Sequence, residues 1–445
     1  MSKKTLLLGA KLINEGKIIE TDLLIHDKHI DHIGSERQNG NIHEINAEGL
    51  YLMPGIIDDQ VHFREPGLTH KADIASESRA GIAGGVTSFM EMPNTKPVAS
   101  TIELLEDKYK VASQTAWANY SFYLGGTEHN QEEVKRINPQ NICGLKIFMG
   151  SSTGDLLVDD DAALERLFAV SPVLIATHCE DETMFRNKLE EYKIRFADQI
   201  PAKAHEFIRS AEGCYKSSSK AVALALRTNA RLHILHITTE KEISLFKNDT
   251  PLHQKQITSE VCVHHLYFDH HDYSDHGNKI KCNPSIKRPE DKAALLQGYL
   301  EGRLDVIATD HAPHLLSEKI GSYLLAASGL PLIQHSLNMM LDFYHQQKID
   351  LGQIVHGMCH APASCFQIAN RGYLREGYFA DLVLFDPDER ILIRQEDAYY
   401  KCAWTPLEGA QLFGKVYSTF VNGYQIYQDG RFNEFKAGER LMFDR

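Results

Sequence analysis

Three things are scarce in this chain of 445 residues: cysteine, positive charge and long apolar runs. Only eight cysteines occur, Cys143, Cys179, Cys214, Cys262, Cys282, Cys359, Cys365 and Cys402, and no two form a CxxC pair. That excludes a zinc ribbon or a thioredoxin-like motif on spacing. Several lie in apolar runs, where a buried free thiol is the expected state, so a reduced, cytoplasmic protein is expected. Lys and Arg number 47 against 60 Asp and Glu, a net charge of −13. Such a chain is a poor nucleic-acid binder, because phosphate contacts need clustered Lys and Arg. No segment holds 18 uninterrupted apolar residues, so no membrane span is expected. The opening MSKKTLLLGAKLINEGK is interrupted by Gly and Lys before it reaches the apolar length of a secretory signal. Low-complexity tracts and short repeats are absent.

The remaining composition is that of a folded protein, 43% hydrophobic and 24% charged. The length implies one large core with something added. Histidine stands out at 23 residues. It is the commonest metal ligand and a frequent acid–base group.

Eight short β-like runs end in polar or Gly/Pro clusters, near His62, Pro93, Thr127, Gly150, His178, His236, His264 and Asp310. Helix-like segments such as TIELLEDKYKVAS, DAALERLFAV and PEDKAALLQGYLEG fill the gaps. A strand, a helix and two loops need roughly 30 residues. Alternation of this kind predicts an α/β fold, a (β/α)8 TIM-type barrel over residues 53–374. The two longest spacings, 58 and 46 residues, would hold extra loops. Residues 1–52 and 375–445 instead show alternating strand patterns with turns. Neither end suffices for a stable sheet, so together they predict a small composite β-sandwich. The stretch from Gln334 to Ile368 reads as helices closing the barrel.

Active sites of such barrels lie at the C-terminal strand ends. There the first strand offers Asp58, Gln60, His62 and Arg64, and the second Asn94. Lys146 sits on the fourth, His178 ends the fifth, His236 the sixth, and Asp310 the eighth with His314 following. Histidines, a carboxylate and a bridging anion are what a zinc-type hydrolytic site needs. A lone histidine at a strand end is more often structural; the matching positions on successive strands change that weighting. His264 and His265, read as lying on a strand, are expected in hydrogen-bonded structural roles. His205, His233, His311 and the FDHHDYSDH loop are expected to be non-ligands, solvated or packed.

The segments HFREPGLTHKADIASESRAGIAGGVTSFMEMPNTKP, GLKIFMGSSTG, ATHCE, LHILHITT, EVCVHHL, ATDHAPH with Lys319, and GYFADLVLFD resemble dihydroorotase, in the cyclic amidohydrolase branch of the amidohydrolase superfamily. The resemblance covers nearly the whole chain. It implies a metal-bearing (β/α)8 barrel with a small β-sandwich, and hydrolysis by metal-bound hydroxide that interconverts L-dihydroorotate and N-carbamoyl-L-aspartate. It implies two zinc ions held by His62, His178, His236 and Asp310, bridged by Lys146 carboxylated on its amine. Asp310 would also be the general base. Arg64, Asn94, Asn283 and His314 match substrate contacts, Arg64 gripping the substrate carboxylate.

One position departs from the family pattern. The first strand ends Asp58-Asp59-Gln60-Val61-His62, with Gln60 where a ligand histidine is usual. An amide oxygen is a harder, weaker zinc ligand than imidazole. Three readings stay open: Gln60 ligates or a water fills the gap, the first metal site is weak, or the protein is an inactive binding or scaffold relative. An allantoinase or hydantoinase is the other alternative. The SYLLAASGLPLIQHS loop also departs from the Pro-Gly-rich version usual in the family and is expected to cover the substrate. A small-molecule substrate is expected, with no nucleic-acid or membrane partner; a homo-oligomer stays open by analogy only.

Overall fold

The computed structural model describes residues 4–35, 42–151 and 156–445. Ser152, Thr153 and Gly154 of the GLKIFMGSSTG segment lie outside the described residues. Eight parallel strands form one sheet in sequence order: β1 Ile56–Val61, β2 Val86–Glu91, β3 Asn119–Gly125, β4 Gly144–Phe148, β5 Ile175–His178, β6 Leu232–Ile234, β7 Ile257–Cys262 and β8 Val306–Ala308. Each matches one β-like run of the sequence. The His62 amide donates to the His311 carbonyl at 2.7 Å just past β1 and β8, so the sheet nearly closes on itself.

Alternation along the strands separates two cores. Phe89, Phe122, Ile147, Ile175 and Ile234 pack with the helix residues Leu105, Leu164 and Leu224. Their neighbours Met90, Tyr123, Ala176 and Leu235 form a second cluster with Ile57, Val306 and Phe366. Phe366 ends the helix Ala361–Phe366, one of the segments between Gln334 and Ile368 that close the barrel. The crossover helices start where the sequence supplies a cap. Asp73, Thr101, Asp160, Asp181 and Ser210 each accept a backbone N–H at a helix start, worth about 1 kcal/mol apiece.

Strands from both termini form a nine-stranded, mostly antiparallel sheet. Leu382–Leu392 pairs with Tyr51–Pro54, which joins the N-terminal and C-terminal halves. Hydrogen bonding runs continuously through this sheet, and it encloses its own core of Leu7, Leu23, Ile25, Leu52, Leu382 and Phe420. The last residues return to the barrel, where Tyr120 exchanges backbone hydrogen bonds with Glu439 and Leu441.

Candidate active site

Side chains from six of the eight strands, or the turns after them, meet at one cavity of about 90 Å³, joined by Asn283 from the β7–β8 connection. Gln60, His62, Arg64, Asn94, Lys146, His178, His236, Asn283 and Asp310 line it, with Phe148, Ser151, Ala312, Ser328 and Gly329 completing the wall. A larger cavity of about 570 Å³ lies before β7 and β8, at the opposite barrel end, beside Lys255, Asp305 and His356. It gathers no comparable set of convergent ligands, so chemistry rather than size selects the site.

Four site residues leave ordinary backbone geometry: Arg64 at φ 69°, Ser151 at φ 59°, His236 at φ 40° and Asp310 at φ 46°. Left-handed backbone at a non-glycine residue costs about 1–3 kcal/mol and clusters at functional sites. Here each lies just past a strand end. Gly329 is forced by the same crowding: its φ is 137°, and a Cβ there would sit 2.5 Å from the Ala312 carbonyl oxygen.

Hydrogen bonds fix the imidazoles. His178 Nε2 meets the Glu180 carboxylate at 2.7 Å, and Arg209 backs that carboxylate at 2.7 Å. Burial opposes ionisation of Glu180, but Arg209 and then His178 hold it down to about 2. Burial also outweighs Glu180 in lowering His178, which is therefore neutral. The His178 proton then belongs on Nε2, and the Nδ1 lone pair faces His236 Nε2 at 3.0 Å. Burial, followed by His178, keeps His236 well below the ordinary imidazole range.

His62 repeats the pattern. Its Nδ1 lies 2.8 Å from Asn94 Oδ1, which places the proton there. Burial lowers His62, and the free Nε2 faces Asp310 Oδ1 at 3.1 Å. On the His62 side two acceptors thus converge, and a cation satisfies that arrangement. Ligand atoms about 2.1 Å from one tetrahedral ion lie roughly 3.4 Å apart. Lys146, 1% exposed, reaches the same cavity without an ion-pair partner among the described residues. Burial pushes its amine down to about 7. The residues present therefore fit the metal centre expected from the sequence.

Arg64 supplies the opposite polarity. It is buried, its Nε donates to the Pro313 carbonyl at 3.1 Å, and no described carboxylate pairs with it. Burial lowers its guanidinium to about 10, so it stays charged at neutral pH.

Some expected residues take different places. His314 does not line the cavity; it stands behind Arg64, 3.1 Å from Nη2, with Lys71 Nζ 3.0 Å from its other nitrogen. Asn94 lines the cavity, but its oxygen is committed to His62. His264 and His265 lie on a short helix, Val263–Tyr267, rather than on a strand, because β7 ends at Cys262. His265 bonds the Pro284 carbonyl at 3.1 Å, whereas neither His264 nitrogen has a well-formed hydrogen bond. His205 and His311 are buried and hydrogen-bonded, to Tyr323 and to Glu77.

His233 is neither solvated nor simply packed. It is fully buried between Asp59 at 3.3 Å and Glu260 at 3.8 Å. Burial opposes protonation, but the two carboxylates outweigh it and raise His233 to about 9. Glu180 and Glu260 escaped the sequence reading. Their signal was positional: an acid two residues after His178, and an acid two before Cys262 on a strand facing the site.

Residues 51–426 match the family model described as the amidohydrolase family. The chain belongs to the amidohydrolase family. A dihydroorotase of Lactobacillus acidophilus is 30% identical over 441 residues, covering 96% of this chain and 99% of that one. A dihydroorotase of Halobacterium salinarum is 30% identical over 392 residues, 87% of this chain and 89% of that one. Among solved structures, the L-hydantoinase (dihydropyrimidinase) of Arthrobacter aurescens superposes with a TM-score of 0.92 at 23% identity, covering 99% and 100% of the two chains. That likeness shows the barrel and its attached sheet. As an amidohydrolase with full-length dihydroorotase relatives, the chain is a hydrolase of the cyclic-amide type. No described helix is long and apolar enough to cross a membrane, and all eight cysteines are free and buried.

Proposed function

We propose that this amidohydrolase interconverts L-dihydroorotate and N-carbamoyl-L-aspartate, a step of de novo pyrimidine synthesis. Arg64 carries the reading. A buried guanidinium without a carboxylate partner is costly, and both ligands bring a carboxylate that a bidentate pair would neutralise. A neutral hydantoin or dihydrouracil ring would leave Arg64 unpaired. The named dihydroorotase relatives support the same substrate. The free buried cysteines support a cytoplasmic setting.

His178 and His236 would hold one zinc, His62 and Asp310 the other, with carboxylated Lys146 between them. Lys146 supports this role because a buried amine without a counter-ion becomes, on adding CO₂, an anion among converging ligands. When bound, zinc polarises the ring carbonyl and makes water a stronger acid. The Asp310 carboxylate takes the proton of the attacking water and delivers it to the departing ring nitrogen. Arg64 anchors the carboxylate away from the reacting bond. Asn283 donates from Nδ2 to Ser151 Oγ at 2.8 Å, while its buried Oδ1 has no partner and can accept a substrate N–H.

The test is an assay of purified protein supplied with zinc and bicarbonate, run in both directions. Turnover of both ligands is expected. Arg64→Met should raise KM for dihydroorotate about 100-fold, near 2.7 kcal/mol, without a matching loss on dihydrouracil. Absence of turnover in either direction overturns the proposal. Preference for allantoin or dihydrouracil would show that Arg64 has another purpose. A stable partner protein with no bound zinc would instead favour a scaffold.

A further inference from the structure

Gln60 stands where the neighbouring strand ends present metal-seeking groups, yet its amide does something else. Its side chain is 1% exposed. Nε2 donates to Asp310 Oδ1 at 3.1 Å. The carbonyl end is turned the other way, with Oε1 3.9 Å from Cys262 Sγ. Chemistry sets this orientation. As placed, both ends of the amide are matched: the N–H meets a carboxylate oxygen, and Oε1 faces the Cys262 thiol, a donor. The side-chain acceptor of Gln60 therefore faces Cys262 rather than Asp310.

From this we infer that Gln60 is a positioning residue for Asp310 and not a metal ligand. Asp310 has left-handed backbone and sits beyond the last residue of β8, so its own strand does not fix its side chain. The Gln60 N–H holds Oδ1 from β1, the strand beside β8 where the barrel closes. Oδ1 also faces His62 Nε2 at 3.1 Å, so the same bond sets the carboxylate relative to that imidazole. The inference rests on the proposed role of Asp310 as general base.

Two variants separate positioning from ligation. Gln60→Leu removes both the N–H donor and the amide oxygen. Positioning predicts a 10–100-fold lower kcat on dihydroorotate with KM within about threefold, the range for losing a partner that orients a site group. Asp310 is also a proposed zinc ligand, so zinc affinity, read by competition with a chromophoric chelator, should fall by no more than the same factor, with both zinc equivalents still bound at saturating zinc. Gln60→Glu places a carboxylate against Asp310. It should also lose kcat and should not tighten zinc, whereas a ligand position would bind zinc more strongly through the added anion. Loss of one bound zinc equivalent in the Leu variant, a tighter zinc affinity in the Glu variant, or an unchanged kcat in both overturns the inference. Circular dichroism of each variant checks that it is folded; if the Leu variant is not, the Glu variant decides. Zinc affinity is measured without substrate. Failure of dihydroorotate turnover in the unmodified protein would therefore count against the proposed function, while the zinc data would still decide whether Gln60 is a ligand.

Discussion

Lys146→Ala takes away a buried amine that has no counter-ion, so a purely structural lysine at this position would be removed at little cost. The carbamate role predicts the reverse. Bound zinc should fall by at least one equivalent per chain, with turnover lost, and a short carboxylic acid should restore part of both. Elemental analysis with and without added acetate or propionate checks this. Unchanged metal content in the variant would refute the bridge. His62, His178, His236 and Asp310 were legible in the sequence because strand ends of a barrel share one mouth. What the residues say to each other was not. Only the fold shows that Glu180 and Asn94 fix the tautomers of His178 and His62, or that His314 backs Arg64. The difference matters, because a tautomer decides which nitrogen can bind a metal.

At the scale of elements, the loop over the cavity is held by two buried lysines. Lys319 Nζ donates to the carbonyls of Lys281, Ala327 and Gly329 at 2.8, 2.8 and 2.9 Å. Lys281 Nζ donates to those of Tyr323 and Ala326 at 2.7 and 2.6 Å. Together they hold the segment that presents Ser328 and Gly329 to the site. Lys319→Met removes all three bonds; the Lys281 carbonyl keeps the Gly329 N–H, while those of Ala327 and Gly329 lose their donor. We expect faster hydrogen exchange across residues 323–330 and a KM raised about tenfold, roughly 1.4 kcal/mol. Exchange unchanged by the substitution would show that the loop is held otherwise. The eight strands were legible because each is a short apolar run closed by a polar or Gly/Pro cluster. This loop was not: its SYLLAASGL sequence has no periodicity, and its order comes from two lysines outside it, Lys319 just before it and Lys281 about 40 residues upstream.

A second element-level device joins the barrel-closing helices to the terminal sheet. His360 Nδ1 lies 2.6 Å from the Gly372 carbonyl, and Nε2 accepts the Glu15 N–H at 3.0 Å. A protonated ring would aim an N–H at an N–H, and burial lowers His360 to about 4. Its folded value lies below the unfolded value of about 6.5. Its stabilisation is therefore complete above pH 6.5 and is lost as pH falls from 6.5 toward 4. The slope approaches about 1.4 kcal/mol per pH unit for one such group. Other buried histidines add to the acid sensitivity, so the informative quantity is a difference. His360→Gln keeps a donor and an acceptor but does not titrate. Its denaturation free energy should vary less with pH over this window, by up to one proton. Parallel pH slopes for the two proteins would assign the effect elsewhere.

For the whole molecule, the question is what makes the barrel and terminal sheet one body. The answer is a buried polar knot at Asp381. It pairs with Arg371, accepts Asn119 Nδ2 at 3.1 Å, and accepts the Asn422 backbone N–H at 2.8 Å. Asn422 Nδ2 in turn donates to Asn119 Oδ1 at 2.8 Å. Asn119 belongs to β3, whereas Asn422 follows the sheet strand Gln411–Val421, so the network crosses between the two. Composition could not reveal it, since its members are about 300 residues apart in the chain. The −13 net charge gave no hint either, because surface charge dominates that sum. Deleting one partner of a buried ion pair costs about 3–5 kcal/mol, since the other charge stays buried alone. Asp381→Ala should therefore lower the unfolding free energy by that amount in urea. It should also speed amide exchange at the paired strands Tyr51–Pro54 and Leu382–Leu392 before the barrel strands. Turnover by the fraction that remains folded should be little changed, because no member of the knot lines the active cavity. A loss under 1 kcal/mol would mean that apolar packing alone holds the sheet to the barrel.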